Sequence, residues 1–283
     1  MKNPIMTHLV CGYPSIKESL ELLKILSKYS KYIEIQIPFS DPIADGPIIS
    51  NANEVALENG ITPSICFDFL EKFMKENNCH PECNEGSLLH GKSNKQSSRD
   101  SSLLSEGQEI AKILIMTYYN IVYNYGVEKF IKKAKQIGIY GFIIPDMPFD
   151  EKEGKELIKL CKKYDINLIQ VVSPTCEKSR LKKIFSISNG FVYAVSQNMT
   201  TGNKISFGKN FEDYIKNLKK LKDIEIGVGF GVKTSEDINE VCKVADFAII
   251  GSELIRILNQ DGIASVKKYF ENINKTLQSH QTL

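Results

Sequence analysis

The feature that most constrains the fold of this chain is a regular alternation of short apolar runs with longer amphipathic segments. From Lys112 onward it repeats without interruption, and the strand cores ILIM, FIIP, LIQVV, FVYAV and FAII are apolar throughout. Strands of a parallel sheet that is covered by helices have this composition. With the units before residue 78, the alternation predicts eight strand–helix pairs.

The predicted boundaries follow apolar periodicity and the usual start and stop residues. Ser15, with Glu18 three residues on, predicts an N-cap, and Asn59-Gly60 followed by Thr62-Pro63 predicts one helix ending and another beginning. Strands are predicted at 7–11, 32–37, 113–118, 141–144, 167–172, 190–195, 225–228 and 247–250. Helices are predicted at 15–29, 50–77 with that break, 127–136, 152–163, 178–186, 211–221, 235–243 and 254–277.

A chain of 283 residues is long enough for one barrel or for two small domains. Eight consecutive units with short connections favour a closed (β/α)8 barrel, a TIM barrel, over a doubly wound open sheet. We therefore expect one α/β barrel domain over residues 1–283. Its active site should lie at the C-terminal ends of the strands.

Residues 79–109 interrupt the pattern with a serine-rich, low-complexity stretch between the second helical region and the third strand. This composition predicts a disordered insertion, at the barrel end away from the active site. It contains Cys79-His80-Pro81-Glu82-Cys83 and His90, but the spacing is irregular and no second cysteine pair follows. A solvated loop is favoured over a metal site, and no metal is expected.

Composition excludes several classes of protein. No apolar run approaches the roughly 18 residues of a membrane span, and the net charge of +2 comes from interspersed lysines and glutamates, which gives no reason to expect a nucleic-acid partner. The seven cysteines are an odd number spread along the chain, which favours reduced thiols. With no apolar stretch of signal-peptide type near Met1, we predict a cytoplasmic protein.

The second strand and the stiff loop after it carry the candidate acid/base residues. Glu34 and Gln36 share one face of this strand, while Asp41 and Asp45 lie in the proline-rich loop at 38–47. In a barrel, Glu34 and Asp45 would both belong to the functional face. Two readings stay open from spacing alone: a catalytic pair, or a buried structural carboxylate beside a turn aspartate.

Glycine-rich turns follow the last two strands. Gly227-Val228-Gly229-Phe230-Gly231 ends strand seven, and Gly251-Ser252-Glu253 joins strand eight to its helix. Barrels often bind phosphate between these two loops, at a helix N-terminus. Close packing is the alternative reason for such glycines. The loop at 196–203 either closes over a ligand or is an ordinary surface loop.

Several motifs occur in a characteristic order and separation: IEIQIPFSDPIADGP, MTYYN, PDMP, GFVYAVS followed by TTG, GVGFG, and IIGS. In these motifs the chain resembles the α subunits of tryptophan synthase over nearly its whole length apart from 79–109. The resemblance implies a TIM-barrel lyase of tryptophan biosynthesis that cleaves indole-3-glycerol phosphate to indole and glyceraldehyde 3-phosphate in a retro-aldol reaction. It also implies no cofactor in this chain, and a β subunit carrying pyridoxal phosphate as partner in an αββα heterotetramer.

Carried over position by position, Glu34 and Asp45 match the two catalytic carboxylates of that family. Thr201 matches a loop threonine that meets the catalytic aspartate on closure, and Tyr193 a substrate-site tyrosine. The phosphate cradle matches Gly202, Gly231, Gly251 and Ser252, and the indole enclosure matches Met116, Ile143, Phe191 and Phe230.

Some residues depart from the family pattern. Gln36 stands where glycine is usual, so that its amide either hydrogen-bonds Glu34 or crowds the substrate; Gln197 and Met199 replace arginine and glycine in the closing loop. His8 stands where an aromatic residue is usual and is expected to be packed or hydrogen-bonded. Two alternatives to the lyase therefore remain: a catalytically weak barrel that activates the β subunit, and a barrel with another phosphorylated substrate.

Overall fold

The computed structural model describes residues 4–77, 111–195, 208–229 and 231–279. The strands within these ranges are β1 (Ile5–Val10), β2 (Tyr32–Gln36), β3 (Lys112–Met116), β4 (Gly141–Ile143), β5 (Asn167–Val172), β6 (Phe191–Val195), β7 (Glu225–Gly229) and β8 (Phe247–Ile250). The helices are α1 (Ile16–Leu26), α2 (Pro47–Glu58), α3 (Pro63–Glu76), α4 (Tyr119–Tyr125), α5 (Val127–Ile137), α6 (Lys152–Lys163), α7 (Lys178–Ile187), α8 (Lys209–Lys219), α9 (Ser235–Cys242) and α10 (Ser252–Ser279).

The strands close into a parallel barrel in chain order, β1 to β8. Closure is made by β8 against β1, where Met6 lies opposite Ile249. This pairing confirms the predicted (β/α)8 barrel, because an open doubly wound sheet would leave two edge strands unpaired. The predicted disordered insertion at 79–109 falls outside the described residues.

Alternate residues of each strand face the barrel interior. In β2, Tyr32, Glu34 and Gln36 point inward, whereas Ile33 and Ile35 join the layer between barrel and helices. All five residues of β2 are buried. Glu34 and Gln36, which the strand alternation places on one face of β2, therefore face the closed barrel interior and not water.

The N-terminal end of the barrel is filled by three aromatic rings, here called the aromatic plug: Tyr32, Phe191 and Phe247. Each is the first residue of its strand, and their ring centroids lie 4.8 to 5.1 Å apart. A Cβ on Gly227 would come within 2.3 Å of the Phe247 ring, so glycine makes room for the plug. The Tyr32 hydroxyl donates to Glu225 Oε2 at 2.8 Å. The plug leaves the opposite, C-terminal end for a ligand.

Two helix starts confirm the predicted caps, because the side chains of Ser15 and Thr62 each accept a backbone N–H three residues on. Helix α2 begins at Pro47, three residues earlier than expected, with the proline in its first turn. The predicted closing helix is interrupted at Gly262, which has a positive φ of 74°. The expectation of a continuous helix there was wrong, since an isolated glycine in an amphipathic pattern also permits a break.

Candidate active site

A cavity of about 170 Å³ opens at the C-terminal end of the barrel. It lies above the aromatic plug and is walled by strand ends and by the loop between β2 and α2. Its lining is mainly apolar, with a few polar groups among it, as small-molecule sites usually are. The polar side chains in the lining are His8, Glu34, Asp45, Tyr193 and Ser252, and the apolar ones include Ile49, Met116, Ile143, Val171 and Ile249.

Glu34 lies in the middle of β2 and is 4% exposed. Its Oε2 is 3.5 Å from Nδ1 of His8, the residue opposite it on β1. Burial lowers the pKa of His8, but the charge and hydrogen bonding of Glu34, with help from Asp45 and Gln36, outweigh this, and the pKa is raised. Glu34 therefore faces an imidazole that tends to hold a proton.

Asp45 is held at the mouth by two donors on the same oxygen. Gln36 Nε2 donates to its Oδ2 at 2.7 Å, and the Tyr118 hydroxyl donates to Oδ2 at 3.3 Å. Burial raises the pKa of the Asp45 carboxyl, and the charge of His8 and the bond from Gln36 offset only part of this effect. Within the described part of the chain, Oδ1 remains for a ligand.

The loop that carries Asp45 is fixed at both ends. The backbone N–H of Ala44 donates to the Tyr118 hydroxyl at 3.0 Å, and that of Phe39 donates to the Asn53 side chain at 3.1 Å. Asn53 is fully buried on α2. The carboxylate of Asp45 is thus placed by two backbone contacts in the loop that precedes it, in addition to the prolines predicted to stiffen the loop.

Tyr193 reaches the cavity from β6, across the barrel from Glu34. Burial raises the pKa of its hydroxyl well above the usual value, and the charges of Glu34 and Asp45 raise it further, so that it is neutral at physiological pH. A Cβ on Gly229 would come within 2.3 Å of the hydroxyl. The absence of a side chain at Gly229 therefore leaves room for the Tyr193 ring and hydroxyl.

The cavity ends at the start of α10. Gly251 and Ser252 line it, and so does Gly231, whose positive φ of 79° favours glycine. The first N–H groups of a helix have no partner within the helix and suit an anion. The start of α9, by contrast, is closed by its own capping box at Thr234.

Most of the predicted site residues come together. Those that line the cavity are Glu34, Asp45, Met116, Ile143, Tyr193, Gly231, Gly251 and Ser252. Phe191 does not, because it is the first residue of β6 and its ring packs in the aromatic plug, two residues below Tyr193. Thr201, Gly202 and Phe230, with Gln197 and Met199, fall outside the described residues.

Sequence reasoning left several contributors without a role. His8 was expected to be packed or hydrogen-bonded, and the structure pairs it with Glu34. Gln36 was expected to bond Glu34 or crowd the ligand, yet its amide bonds Asp45. Tyr118, within the MTYYN motif, and Asn53, six residues after the motif that ends at Pro47, hold the loop, but no signal in the sequence indicated that role.

The described ranges hold no cluster of three His, Cys, Asp or Glu side chains suited to a metal ion. Within the same ranges, no helix is both long enough and apolar enough to cross a membrane.

Comparison with known proteins gives a consistent result. The family model for the tryptophan synthase alpha chain matches residues 1–83 and 81–282. Tryptophan synthase alpha chains from Staphylococcus haemolyticus and Desulfotalea psychrophila are 34% and 32% identical; the matches cover 93% and 95% of this chain and 95% and 93% of those proteins. The solved tryptophan synthase A-subunit of Pyrococcus furiosus is similar with a TM-score of 0.77 at 28% identity, over 97% of this chain and 98% of that one.

Proposed function

The chain belongs to the tryptophan synthase alpha chain family and is a lyase that cleaves indole-3-glycerol phosphate, and from this premise we propose that Glu34 and Asp45 carry out the cleavage. The observation that supports this assignment is their common position on one small, mostly apolar cavity. The bond that breaks joins indole C3 to the first carbon of the glycerol chain. Indole and glyceraldehyde 3-phosphate are the products.

Glu34 is the proposed proton carrier. A proton added at C3 turns the indole ring into an electron sink, and removal of the proton from the adjacent side-chain hydroxyl forms the aldehyde as the carbon–carbon bond breaks. The electron pair of that bond restores the indole ring. One ionised carboxylate that faces both atoms can take the proton from the hydroxyl and deliver it to C3. The interior position of Glu34, 4% exposed, supports this role.

Asp45 is the proposed partner of the indole N–H. When C3 is protonated, positive charge develops on the ring nitrogen, and an aspartate beside it stabilises that charge. The two bonds from Gln36 and Tyr118 fall on Oδ2. They orient Oδ1 for the ring nitrogen.

The phosphate is proposed to bind where the cavity meets α10. Gly231, Gly251 and Ser252 line this end of the cavity. Thr201 and Gly202 are proposed to complete the cradle, Tyr193 to contact the glycerol chain, and Met116, Ile143 and Phe230 to enclose the indole. Phe191 supports the floor below them from within the aromatic plug.

The catalytic assignment is tested with Glu34→Gln and Asp45→Asn, which keep shape and remove charge. Loss of a general acid/base group should lower kcat by roughly 100- to 10,000-fold, and loss of the charge on Asp45 by on the order of 100-fold. The measurement is indole release from indole-3-glycerol phosphate, with circular dichroism to verify folding.

Asp41→Asn is the matched control, because Asp41 lies in the same loop but is exposed, with its carboxylate accepting from Ser40. It should keep normal turnover. Undiminished turnover in Glu34→Gln or Asp45→Asn would contradict the assignment.

We further propose that the chain works with a tryptophan synthase β subunit, as two copies of each, that pyridoxal phosphate belongs only to that partner, and that the complex is cytoplasmic. The support is family membership together with an exposed apolar residue beside the site, since Ile43 is 83% exposed in the loop that carries Asp45. Assaying indole release with and without a β subunit separates the lyase from a weak barrel that only activates its partner. The latter would release no indole under either condition.

A further inference from the structure

Two polar side chains inside the barrel lie beside the proposed catalytic carboxylates but transfer no proton in the cleavage. His8 is 4% exposed and Gln36 is fully buried. Each contacts a different one of the two carboxylates: His8 Nδ1 lies 3.5 Å from Glu34 Oε2, and Gln36 Nε2 lies 2.7 Å from Asp45 Oδ2. Burying two such groups beside two acids is costly unless their remaining polar atoms are also satisfied.

The remaining atoms are complementary. His8 Nε2 and Gln36 Oε1 are both buried, and neither has a hydrogen-bond partner in the described part of the protein. The two side chains are neighbours, because β1 and β2 pair with His8 opposite Glu34 and Val10 opposite Gln36. An imidazolium carries a hydrogen on both nitrogens, and an amide oxygen accepts one. A hydrogen bond from Nε2 to Oε1 would satisfy both atoms at once.

We propose, resting on the roles given above to the two carboxylates, that His8 and Gln36 are positioning residues that join Glu34 to Asp45 in one continuous chain of polar contacts. In this chain the imidazolium of His8 donates to Glu34 on one side and to Gln36 on the other. The Nε2 group of Gln36 in turn donates to Oδ2 of Asp45. A change in the charge of either carboxylate therefore changes the electrostatic environment of the other.

This series of polar contacts has a consequence for the reaction. The imidazolium of His8, with Nδ1 3.5 Å from Oε2, fixes the position of the Glu34 carboxylate, the group that takes the proton from the substrate hydroxyl. The same cation, acting through the Gln36 dipole, favours ionised Asp45, which must meet the charge that develops on the indole nitrogen. In the free enzyme Glu34 is then held in place, and the charge of His8 favours the ionised form of Asp45.

The elements packed against His8 carry few other charges that face it. Glu34 from β2 and Asp45 from the loop before α2 act on its pKa directly, and Tyr193 from β6 opens on the same cavity. β8 carries no titratable side chain between Phe247 and Ile250. On the helices packed against β1, the exposed charged residues are Lys17, Glu21, Glu54, Glu58, Arg256, Asp261, Lys267, Lys268 and Lys275. Among the others, Glu18 accepts from Ser15, Lys24 pairs with Glu76, Glu253 with Arg256 and Glu271 with Lys267.

The first test is the pH dependence of kcat/KM for wild type, His8→Gln and Gln36→Leu, because this profile reports groups of the free enzyme. His8→Gln keeps a hydrogen-bonding side chain but removes the charge. In the profile of His8→Gln, the fall in kcat/KM on the acid side should move to higher pH by roughly one unit. The fall on the alkaline side that deprotonation of His8 causes in wild type should disappear. Gln36→Leu should move the fall on the acid side in the same direction by less.

Gln170→Leu is the matched control, since Gln170 is also a buried strand glutamine, 7% exposed, but does not line the cavity. Its profile should coincide with that of wild type. Profiles of His8→Gln and Gln36→Leu that coincide with the control would overturn the proposal, even if Glu34→Gln and Asp45→Asn had abolished turnover. Failure of the proposed function itself would show instead in those two carboxylate variants.

The second test does not depend on activity or on the folding of a His8 variant. Nitrogen NMR of histidine-labelled protein follows the protonation of the His8 ring, assigned by comparison among the four histidines. Asp45→Asn and Gln36→Leu should each lower the midpoint of the His8 titration, by roughly half a unit or more for the charge change. An unchanged midpoint in both variants would show that no series of polar contacts connects His8 to Asp45.

Discussion

Gly229, at the end of β7, and Gly251, just after β8, are small for different physical reasons. A Cβ on Gly229 would overlap the Tyr193 hydroxyl at 2.3 Å, whereas a Cβ on Gly251 would meet only ordinary contacts, with His8 and Ile49 atoms at 3.7 and 3.8 Å. Gly229 is therefore required by the protein itself. Gly251 is not, so its small size matters only when a ligand approaches.

This difference predicts opposite outcomes for two alanine substitutions. Gly229→Ala should displace Tyr193 and lower the free energy of unfolding by about 1–3 kcal/mol, the usual cost of overpacking. Gly251→Ala should leave that free energy nearly unchanged but raise KM by about tenfold, because the methyl group stands where the phosphate would bind. Urea unfolding and steady-state kinetics measure the two effects. A stable Gly229→Ala variant, or a Gly251→Ala variant with normal KM, would contradict this account.

That Glu34 and Asp45 lie on the same face of the barrel could be predicted from sequence, because a strand end and a proline-stiffened loop determine the face, whereas their catalytic role was implied only by the family resemblance. Depth inside the barrel could not be inferred in the same way. Phe191 and Tyr193 have the same strand phase, yet one belongs to the aromatic plug and the other lines the cavity. The contact between Gln36 and Asp45 was also beyond reach, since it depends on how the loop folds back over the strand.

At the level of elements, the part that sequence reasoning missed is α4, Tyr119–Tyr125. Its tyrosines, valine and asparagines favour strand or turn over helix. The residue that caps it comes from elsewhere: Asp146 Oδ1, in the loop after β4, accepts the N–H of Tyr119 at 2.8 Å. Ser15 and Thr62 were predicted as caps because their partners are three residues away, whereas this cap is a tertiary contact.

Removing that cap should destabilise α4. Asp146→Ala leaves the Tyr119 N–H without its acceptor, and the free energy of unfolding should fall by about 1 kcal/mol. Asp150→Ala is the control, because Asp150 forms an exposed ion pair with Lys183, and such pairs contribute roughly 0–1 kcal/mol. Equal stability of Asp146→Ala and wild type in urea titrations would show that α4 does not depend on this cap.

For the molecule as a whole, the alternation of segments was enough to predict the barrel, because eight parallel units of this size close in few other ways. The position of apolar surface was not predictable, since exposure is decided by what neighbours cover. Ile43, two residues before Asp45, is 83% exposed. A partner that covers Ile43 would touch the loop that holds a proposed catalytic carboxylate.

Ile43→Asp should therefore weaken binding of a β subunit by about tenfold or more, since it places a charge in a desolvated contact. The melting temperature of the isolated chain should not change, because the side chain is exposed. Leu221→Asp serves as control on the opposite end of the barrel, just after α8, and should bind normally. Sedimentation or calorimetric titration gives the affinities, and equal affinity for Ile43→Asp and wild type would place the interface elsewhere.

The aromatic plug also decides how molecules travel. Tyr32, Phe191 and Phe247 block the N-terminal end of the barrel, so that, among the described residues, the cavity opens towards the C-terminal end. Indole would then leave at the end where its phosphorylated precursor enters. A loop or a neighbouring subunit that covers this end would control both the entry of substrate and the release of product.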